Sequence, residues 1–364
     1  MERFVTKFDT SCPDGAQCAV VDDSIMIKGY PATAGSKMLE SFISPIDAQV
    51  VTALRNSGVV ISGKTTMDEF GAAGIFSKCG TESGAVSAVA DGIASFGLCN
   101  DYTGAVSIKA ALSGLYYIQP TYGTVSRYGL ISCVASMDQI GIVCKSPDDG
   151  FRALSMVSGY DEKDGVMPPE TREGVQSRPD KSCSGSEGKL RVGVPANVSA
   201  QGWYTSFASE LLGDCEIVDA EPVHSDVYAQ VMQILCCGEL SNNISRYDGI
   251  KFGYRAEGYK DLRELYTMSR TEAFGEDVKF AAIVGAVVLS HGNYEKYYDK
   301  AMRIRRLIKD SLKFGSYDVI VAPSPCLARL CGIPAVTVPY KDNAITLVAN
   351  AGREDILMSV LGNR

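Results

Sequence analysis

Cysteine is the first residue type to weigh for chemistry, because the chain has twelve cysteines against two histidines. A zinc site needs paired ligands at short, fixed spacings. No Cys-x-x-Cys pair occurs. Cys236 and Cys237 are adjacent, and Cys326 and Cys331 are five apart, so neither pair suits such a site. His224 and His291 each lie far from any cluster of Cys, Asp or Glu. Neither a metal nor a histidine triad is expected, and the cysteines read as buried or free thiols in a reducing cytosol. Hydroxyl groups remain, and they are concentrated with glycine and alanine between Gly71 and Thr103. Small residues there allow backbones to approach one another closely.

The elements that must position these hydroxyls follow from apolar spacing. Residues 19–28 read as strand-like segments with a turn at Asp22-Asp23, followed by a turn signal at Gly29-Tyr30-Pro31. Asp47 to Asn56 carries Val50, Val51 and Leu54 at helical spacing. Val59 to Ser62 is a β-branched strand, and Thr66 or Asp68 offers an N-cap after it. Ala85 to Ile93 predicts a tightly packed helix, and Phe96 to Cys99 and Leu115 to Ile118 predict strands. The polar stretch Tyr160 to Gly188, rich in Gly, Ser, Pro and Asp, predicts an exposed loop or linker. Beyond it, Leu190 to Val194, Tyr317 to Ala322 and Pro334 to Pro339 predict strands. Val231 to Ile244, Lys260 to Thr267, Val278 to Ser290 and Tyr294 to Leu312 predict helices. In the last, Ile304, Ile308 and Leu312 form one stripe with Arg305, Arg306 and Lys309 off it. No internal repeat is visible. Strands alternating with helices point to an α/β fold with a mixed or parallel sheet.

Composition sets the outer bounds. At 46% hydrophobic and 21% charged, the chain has the make-up of a globular protein. Its 364 residues can bury roughly 75% of the unfolded surface. A net charge of −8 argues against a broad basic face, so direct nucleic-acid binding is not expected. No uncharged apolar run approaches the length of a membrane span, and Met1 to Thr10, with Glu2, Lys7 and Asp9, lacks the apolar core of a signal peptide. A cytoplasmic location is the expectation.

Several strings, taken together and in order, carry a resemblance. They are Lys28 to Asp47 (KGYPATAGSKMLESFISPID), Gly63 to Phe70 (GKTTMDEF), Gln119 to Gly141 (QPTYGTVSRYGLISCVASMDQIG), Ser245 to Arg255 (SRYDGIKFGYR), Ser269 to Lys279 (SRTEAFGEDVK), Asp318 to Pro323 and Gly332 to Pro339. Singly they have ordinary readings: PTYG and RYG are turn chemistry, and GKTTMDEF is a strand end with a helix cap. In series they resemble the amidase signature family, and within it the A-subunit branch of the tRNA-dependent amidotransferases. The resemblance implies one α/β domain over 1–364, shortened at both ends, with a twisted mixed central sheet wrapped by helices. Active members hydrolyse amides with a serine nucleophile, a bridging serine and a lysine base, and no cofactor. A serine hydroxyl is a weak nucleophile until a nearby base takes its proton, and backbone N–H groups then hold the oxyanion.

Carried over position by position, that machinery is altered. The family lysine sits in a motif resembling I-K-D-N; aligned on Gly29, this chain reads Val21-Asp22-Asp23-Ser24, with Asp22 in the lysine's place. A carboxylate with its usual pKa near ~4 is a poor base for an alkoxide nucleophile. Lys28 and Lys64 are nearby, but Lys64 belongs to GKTTMDEF and reads as structural or solvent-facing. The bridging-serine stretch corresponds to Cys79 to Ala85, which puts Thr81 on the bridging position and adds a charge at Glu82. The nucleophile motif, D-T-G-G-S-I-R, corresponds without gaps to Asp101-Tyr102-Thr103-Gly104-Ala105-Val106-Ser107, and the nucleophile becomes Ala105. A rival alignment shifted by two residues places Ser107 there and reads Ser107-Ile108-Lys109 as S-I-R. The family's V-K-R-R-I segment is Val278-Lys279-Phe280-Ala281-Ala282, the stretch between Pro323 and Gly332 is shortened, and no matching substrate-holding aspartate is found in it.

Three expectations follow. The chain is a non-catalytic family member, a structural subunit or paralogue with B- and C-type amidotransferase subunits as its partners. Alternatively, it is an active amidase or glutaminase supplying ammonia for Gln-tRNA(Gln) formation, with Ser107, Thr81, Cys79 or Cys99 as nucleophile and Lys64 or Asp22 as base. Or the backbone N–H groups of Tyr102, Thr103, Gly104 and Ala105 bind an amide or carboxylate without cleaving it.

Overall fold

The computed structural model describes residues 3–8, 17–77, 81–167 and 189–362. Eleven strands among them form one sheet: β1 (Phe4–Lys7), β2 (Cys18–Asp22), β3 (Val60–Thr65), β4 (Phe96–Asn100), β5 (Tyr116–Gln119), β6 (Ile140–Cys144), β7 (Arg191–Val194), β8 (Glu216–Asp219), β9 (Val319–Val321), β10 (Ala335–Tyr340) and β11 (Asn343–Ala349). Their spatial order is β1-β3-β2-β4-β6-β5-β10-β11-β9-β7-β8. Neighbours β3, β2 and β4 run parallel, as do β9, β7 and β8, whereas the middle of the sheet from β4 to β9 is antiparallel.

Strands β2, β4, β6 and β9 are buried along their whole length. That is the signature of a sheet covered on both faces, and it explains why their sequences are continuous apolar runs rather than alternating ones. One face packs Val319, Val321, Leu347 and Phe151 into a core, and the other packs Ile320 and Val348 against the helices Tyr228–Ile244 and Cys326–Cys331. The small-residue segment has the close packing its composition predicts. In the helix Gly84–Ala90, Ala85 approaches Gly97 of β4 so nearly that a Cβ on Gly97 would lie 3.1 Å from the Ala85 methyl.

Three local expectations need correction. Tyr294 to Leu312 is not one α-helix: a π-turn over Glu295–Asp299 precedes the α-helix Lys300–Ser311, and Tyr298 within it packs over Gly238. Asp68 does stand at the N-cap of a 3₁₀ turn, but its carboxylate accepts the Glu82 N–H at 3.0 Å instead of capping the turn. The predicted exposed loop 160–188 begins docked. Asp161, Asp164 and Met167 are buried; Asp161 accepts from Ser126 Oγ at 2.7 Å, and Asp164 pairs with Arg127 at 3.1 Å. Residues 168–188 lie outside the described residues.

Candidate functional site

β4 delivers Asp101 to a sharp turn that ends in the helix Ala105–Leu112. The turn closes at Gly104 with φ +90°, a left-handed conformation that costs an L side chain appreciably and glycine little. Asp101 organises everything after it. One carboxylate oxygen accepts the Gly104 N–H at 2.8 Å; the other accepts the Ser107 N–H at 2.9 Å and a guanidinium N–H of Arg329 at 2.8 Å. Both side chains of this ion pair are buried.

Ser107 lies inside this cluster. Its hydroxyl donates to the Gly104 carbonyl at 2.8 Å and accepts from Arg329 at 3.0 Å. Among the described residues, the one charged neighbour bonded to the hydroxyl is therefore a guanidinium, which holds its proton across the whole working pH range and cannot act as a base.

Ala105 occupies the first helical position after Gly104 and is buried. Gly74, in the short helix Ala73–Phe76, sits over it. A Cβ at Gly74 would come within 2.9 Å of the Ala105 methyl and would also collide with Thr103 Oγ1. Pro325 closes the other side, 3.0 Å from where a Cβ of Gly104 would stand. Of the four backbone N–H groups named as oxyanion donors, the structure engages two internally: Gly104 donates to Asp101, and Ala105 donates to Thr103 Oγ1 at 3.3 Å. Tyr102 is buried with its hydroxyl on the Phe70 carbonyl at 2.8 Å.

Asp22 stands at the end of β2 beside the end of β4. It accepts the Asn100 N–H at 2.7 Å and the Ser24 N–H at 3.0 Å. Burial raises its carboxyl from 3.8 to about 6, against the hydrogen bonds from Ser24 and Asn100, which lower it. The neighbouring Asp23 forms a fully buried 2.9 Å ion pair with Lys64, which reaches across from β3 and also donates to the Pro31 carbonyl. Burial lowers the Lys64 amine, and the Asp23 charge opposes that. Lys64 is thus structural and not solvent-facing, and its bonds are to the 23–31 turn rather than to Ala105 or Ser107.

Thr81 is buried, and its Oγ1 has no hydrogen-bond partner among the described residues. Its carbonyl accepts from Lys109 Nζ at 2.6 Å. Cys79 lies outside the described residues. Cys99 is buried, and burial first, then the charges of Asp22 and Asp101, push its thiol well above the usual range. That disfavours the thiolate a cysteine nucleophile requires. Eight cysteines are free thiols among the described residues, and Cys18 is disulfide-bonded, an exception to the all-thiol expectation.

Two groups at the site are not marked by sequence motifs. Arg329 lies in CLARLC, which reads as an apolar helix; the signal is the lone charge in it, which must find a partner once buried. Lys109 reads only as part of S-I-R, although its reach to Thr81 links the helix Ala105–Leu112 to the segment before Gly84.

A family model described as Amidase matches residues 19–78 and 75–361. The chain is 36% identical over 355 residues to the A subunit of glutamyl-tRNA(Gln) amidotransferase from Lachnoclostridium phytofermentans, covering 90% of this chain and 70% of that protein. It is 34% identical over 398 aligned positions to the protein of the same name from Acinetobacter baumannii (strain AYE), covering 93% and 80%. Among solved structures, the A subunit of glutamyl-tRNA(Gln) amidotransferase from Thermotoga maritima superposes with a TM-score of 0.71 at 23% identity, over 97% of this chain and 84% of that one. Peptide amidase from Stenotrophomonas maltophilia gives 0.72 at 23% identity, over 95% and 81%. At these identities the structural likeness is one of fold. No helix among the described residues is long and apolar enough to cross a membrane.

Proposed function

Because this chain belongs to the amidase signature family and has its mixed α/β fold, we propose that it is a non-catalytic relative of the A subunit of glutamyl-tRNA(Gln) amidotransferase, a structural subunit or paralogue of that enzyme. The observation that carries the reading is at Ala105, the position the family resemblance assigns to the nucleophile: it has only a methyl, covered by Gly74, while the Thr103 hydroxyl accepts the Ala105 N–H and Ser107 is tied to Gly104 and Arg329. Removing the nucleophile of a serine hydrolase costs on the order of 10^6 in turnover. The same geometry weighs against an amide- or carboxylate-binding role at Tyr102 to Ala105, since two of those four N–H groups are occupied.

B- and C-type amidotransferase subunits are the proposed partners, in a cytoplasmic setting that the eight free thiols fit and the Cys18 disulfide does not. An associated chain is supported by the helix Glu276–Val288, which presents Phe280, Ile283 and Val287 at 55, 64 and 50% exposure along one side. Phe280 stands in the segment where the family resemblance calls for arginine. The net charge of −8 favours contact with protein over direct contact with nucleic acid.

The test is ammonia release from glutamine by the purified chain, alone and co-purified with B- and C-type subunits. The expected result is no turnover above the uncatalysed background in either form. Turnover in the ordinary range of roughly 1–10³ s⁻¹ would overturn the reading. A second reading, an active amidase using Thr81, draws on the buried Thr81 hydroxyl, which has no partner among the described residues and lies beside Lys109. It takes second place because the Lys109 amine bonds the Thr81 carbonyl rather than its hydroxyl. It requires activity that Thr81→Val abolishes.

A further inference from the structure

At the far end of the sheet from Asp22, β7 and β9 lie side by side and parallel, and their chains leave in opposite directions. The segment after β7 packs Val198 and Phe207 against the face that carries Val319 and Val321. The helix Cys326–Cys331 after β9 packs against the other face, with Ile320. Adjacent parallel strands whose connections diverge leave a crevice beyond their carboxyl ends, the place where open α/β sheets bind ligands. Here the crevice is a cavity of about 180 Å³, walled by the segment after β7, the segment after β9 and the start of β11.

Its chemistry is distinctive. Trp203 and Pro325 supply flat apolar walls; Asn197, Gln201, Ser324 and Thr346 supply polar groups; and no Asp, Glu, Lys or Arg lines it. Several polar groups are uncommitted among the described residues. The Trp203 indole N–H and the Asn197 carboxamide make no hydrogen bond. Ser324 Oγ accepts from the Cys326 N–H at 3.3 Å, which leaves its own proton to donate. Gln201 donates to the Asn197 carbonyl at 3.1 Å and keeps its side-chain oxygen as an acceptor. The cavity is below the ~300–1,000 Å³ usual for drug-sized ligands, so its occupant is small. An ion would enter without a counter-charge, at a substantial desolvation cost.

We propose that this cleft binds a small, uncharged, planar compound that carries both a hydrogen-bond donor and an acceptor, a single-ring carboxamide or heterocycle. It is a site separate from Ala105: the Pro325 ring stands between the cleft and Gly104, and none of residues 102–105 lines it. The inference does not depend on whether Ala105 is inert.

Trp203 is the single tryptophan of the sequence, so selectively excited emission reports this cleft directly. The experiment is a fluorescence titration of the full chain with benzamide, with benzoate and benzylammonium as charged counterparts, and calorimetry on the same samples. Benzamide is expected to give a saturable change, with each charged compound at least about tenfold weaker. Asn197→Ala combined with Ser324→Ala should weaken benzamide several-fold with the circular dichroism spectrum unchanged, since Asn197 is exposed and Ser324 partly so. Linear, non-saturating quenching with flat calorimetry, equal response to all three compounds, or unchanged affinity in the double variant would each overturn the proposal.

Discussion

Asp22 and Asp101 are buried carboxylates at the ends of the neighbouring strands β2 and β4, and their surroundings treat them differently. Asp101 faces the Arg329 guanidinium; Asp22 has hydrogen-bond donors but no ion pair among the described residues. Burial therefore lifts the Asp22 carboxyl from 3.8 to about 6. Its folded value lies above the unfolded one, so the folded state holds the proton longer. The stability tied to that proton is complete below about pH 4 and is lost as pH rises through about 6, on the order of 3 kcal/mol. A carbon-detected NMR titration should show the Asp22 carboxyl with a midpoint near 6, and the wild type should lose stability relative to Asp22→Asn as pH rises over the same range; a midpoint near 4 would contradict this. Arg329→Met should cost about 3–5 kcal/mol in urea unfolding, because Asp101 is left charged and uncompensated. A loss below about 1 kcal/mol would show that the pair does not hold the turn. The turn at Asp22 is legible in the sequence, since it depends on local spacing alone. The Asp101–Arg329 pair is not: the lone charge in CLARLC marks Arg329 as needing a partner, but nothing local names Asp101, 228 residues away, as that partner.

Elements are legible where periodicity is strong and where one chain segment decides its own conformation. β2, β4, β9 and the helix Tyr228–Ile244 follow their apolar spacing. The edge strand Phe4–Lys7 is too short and too exposed for its spacing to mark it, whereas the second strand of the β10–β11 hairpin (NAITLVA) and the helix Glu354–Leu361 (EDILMSVL) carry apolar residues of their own and are legible from them. The docking of 160–167 is hidden for a different reason: a polar segment looks solvated until Arg127 and Ser126 are placed opposite Asp164 and Asp161. Close contacts between elements are equally non-local. Gly285 lets the helices Tyr228–Ile244 and Glu276–Val288 meet backbone to backbone, and a Cβ there would overlap the Cys237 carbonyl oxygen. Gly285→Ala should cost about 1–3 kcal/mol and lower the melting temperature by several degrees. Gly202→Ala, with nothing within 4 Å of the added carbon, should stay within about 0.5 kcal/mol. Equal melting temperatures for the two variants would show that the helix pair can separate freely.

At the scale of the molecule, the family's fold is kept, and the proposed function is that its chemistry is not. The eleven-stranded sheet and its two packed faces keep the architecture of the amidase signature family, while the turn from Asp101 to Ala105 is closed by Gly74 and Pro325 and braced by Arg329. A family scaffold does not fix an activity; the site does. The central claim is that no hydroxyl at this turn is paired with a base able to activate it. Intact-protein mass spectrometry after prolonged treatment with a fluorophosphonate probe tests that claim most directly. The account predicts an unmodified mass for the native chain. A stoichiometric adduct, mapped by peptide digestion to Ser107 or Thr81, would contradict it.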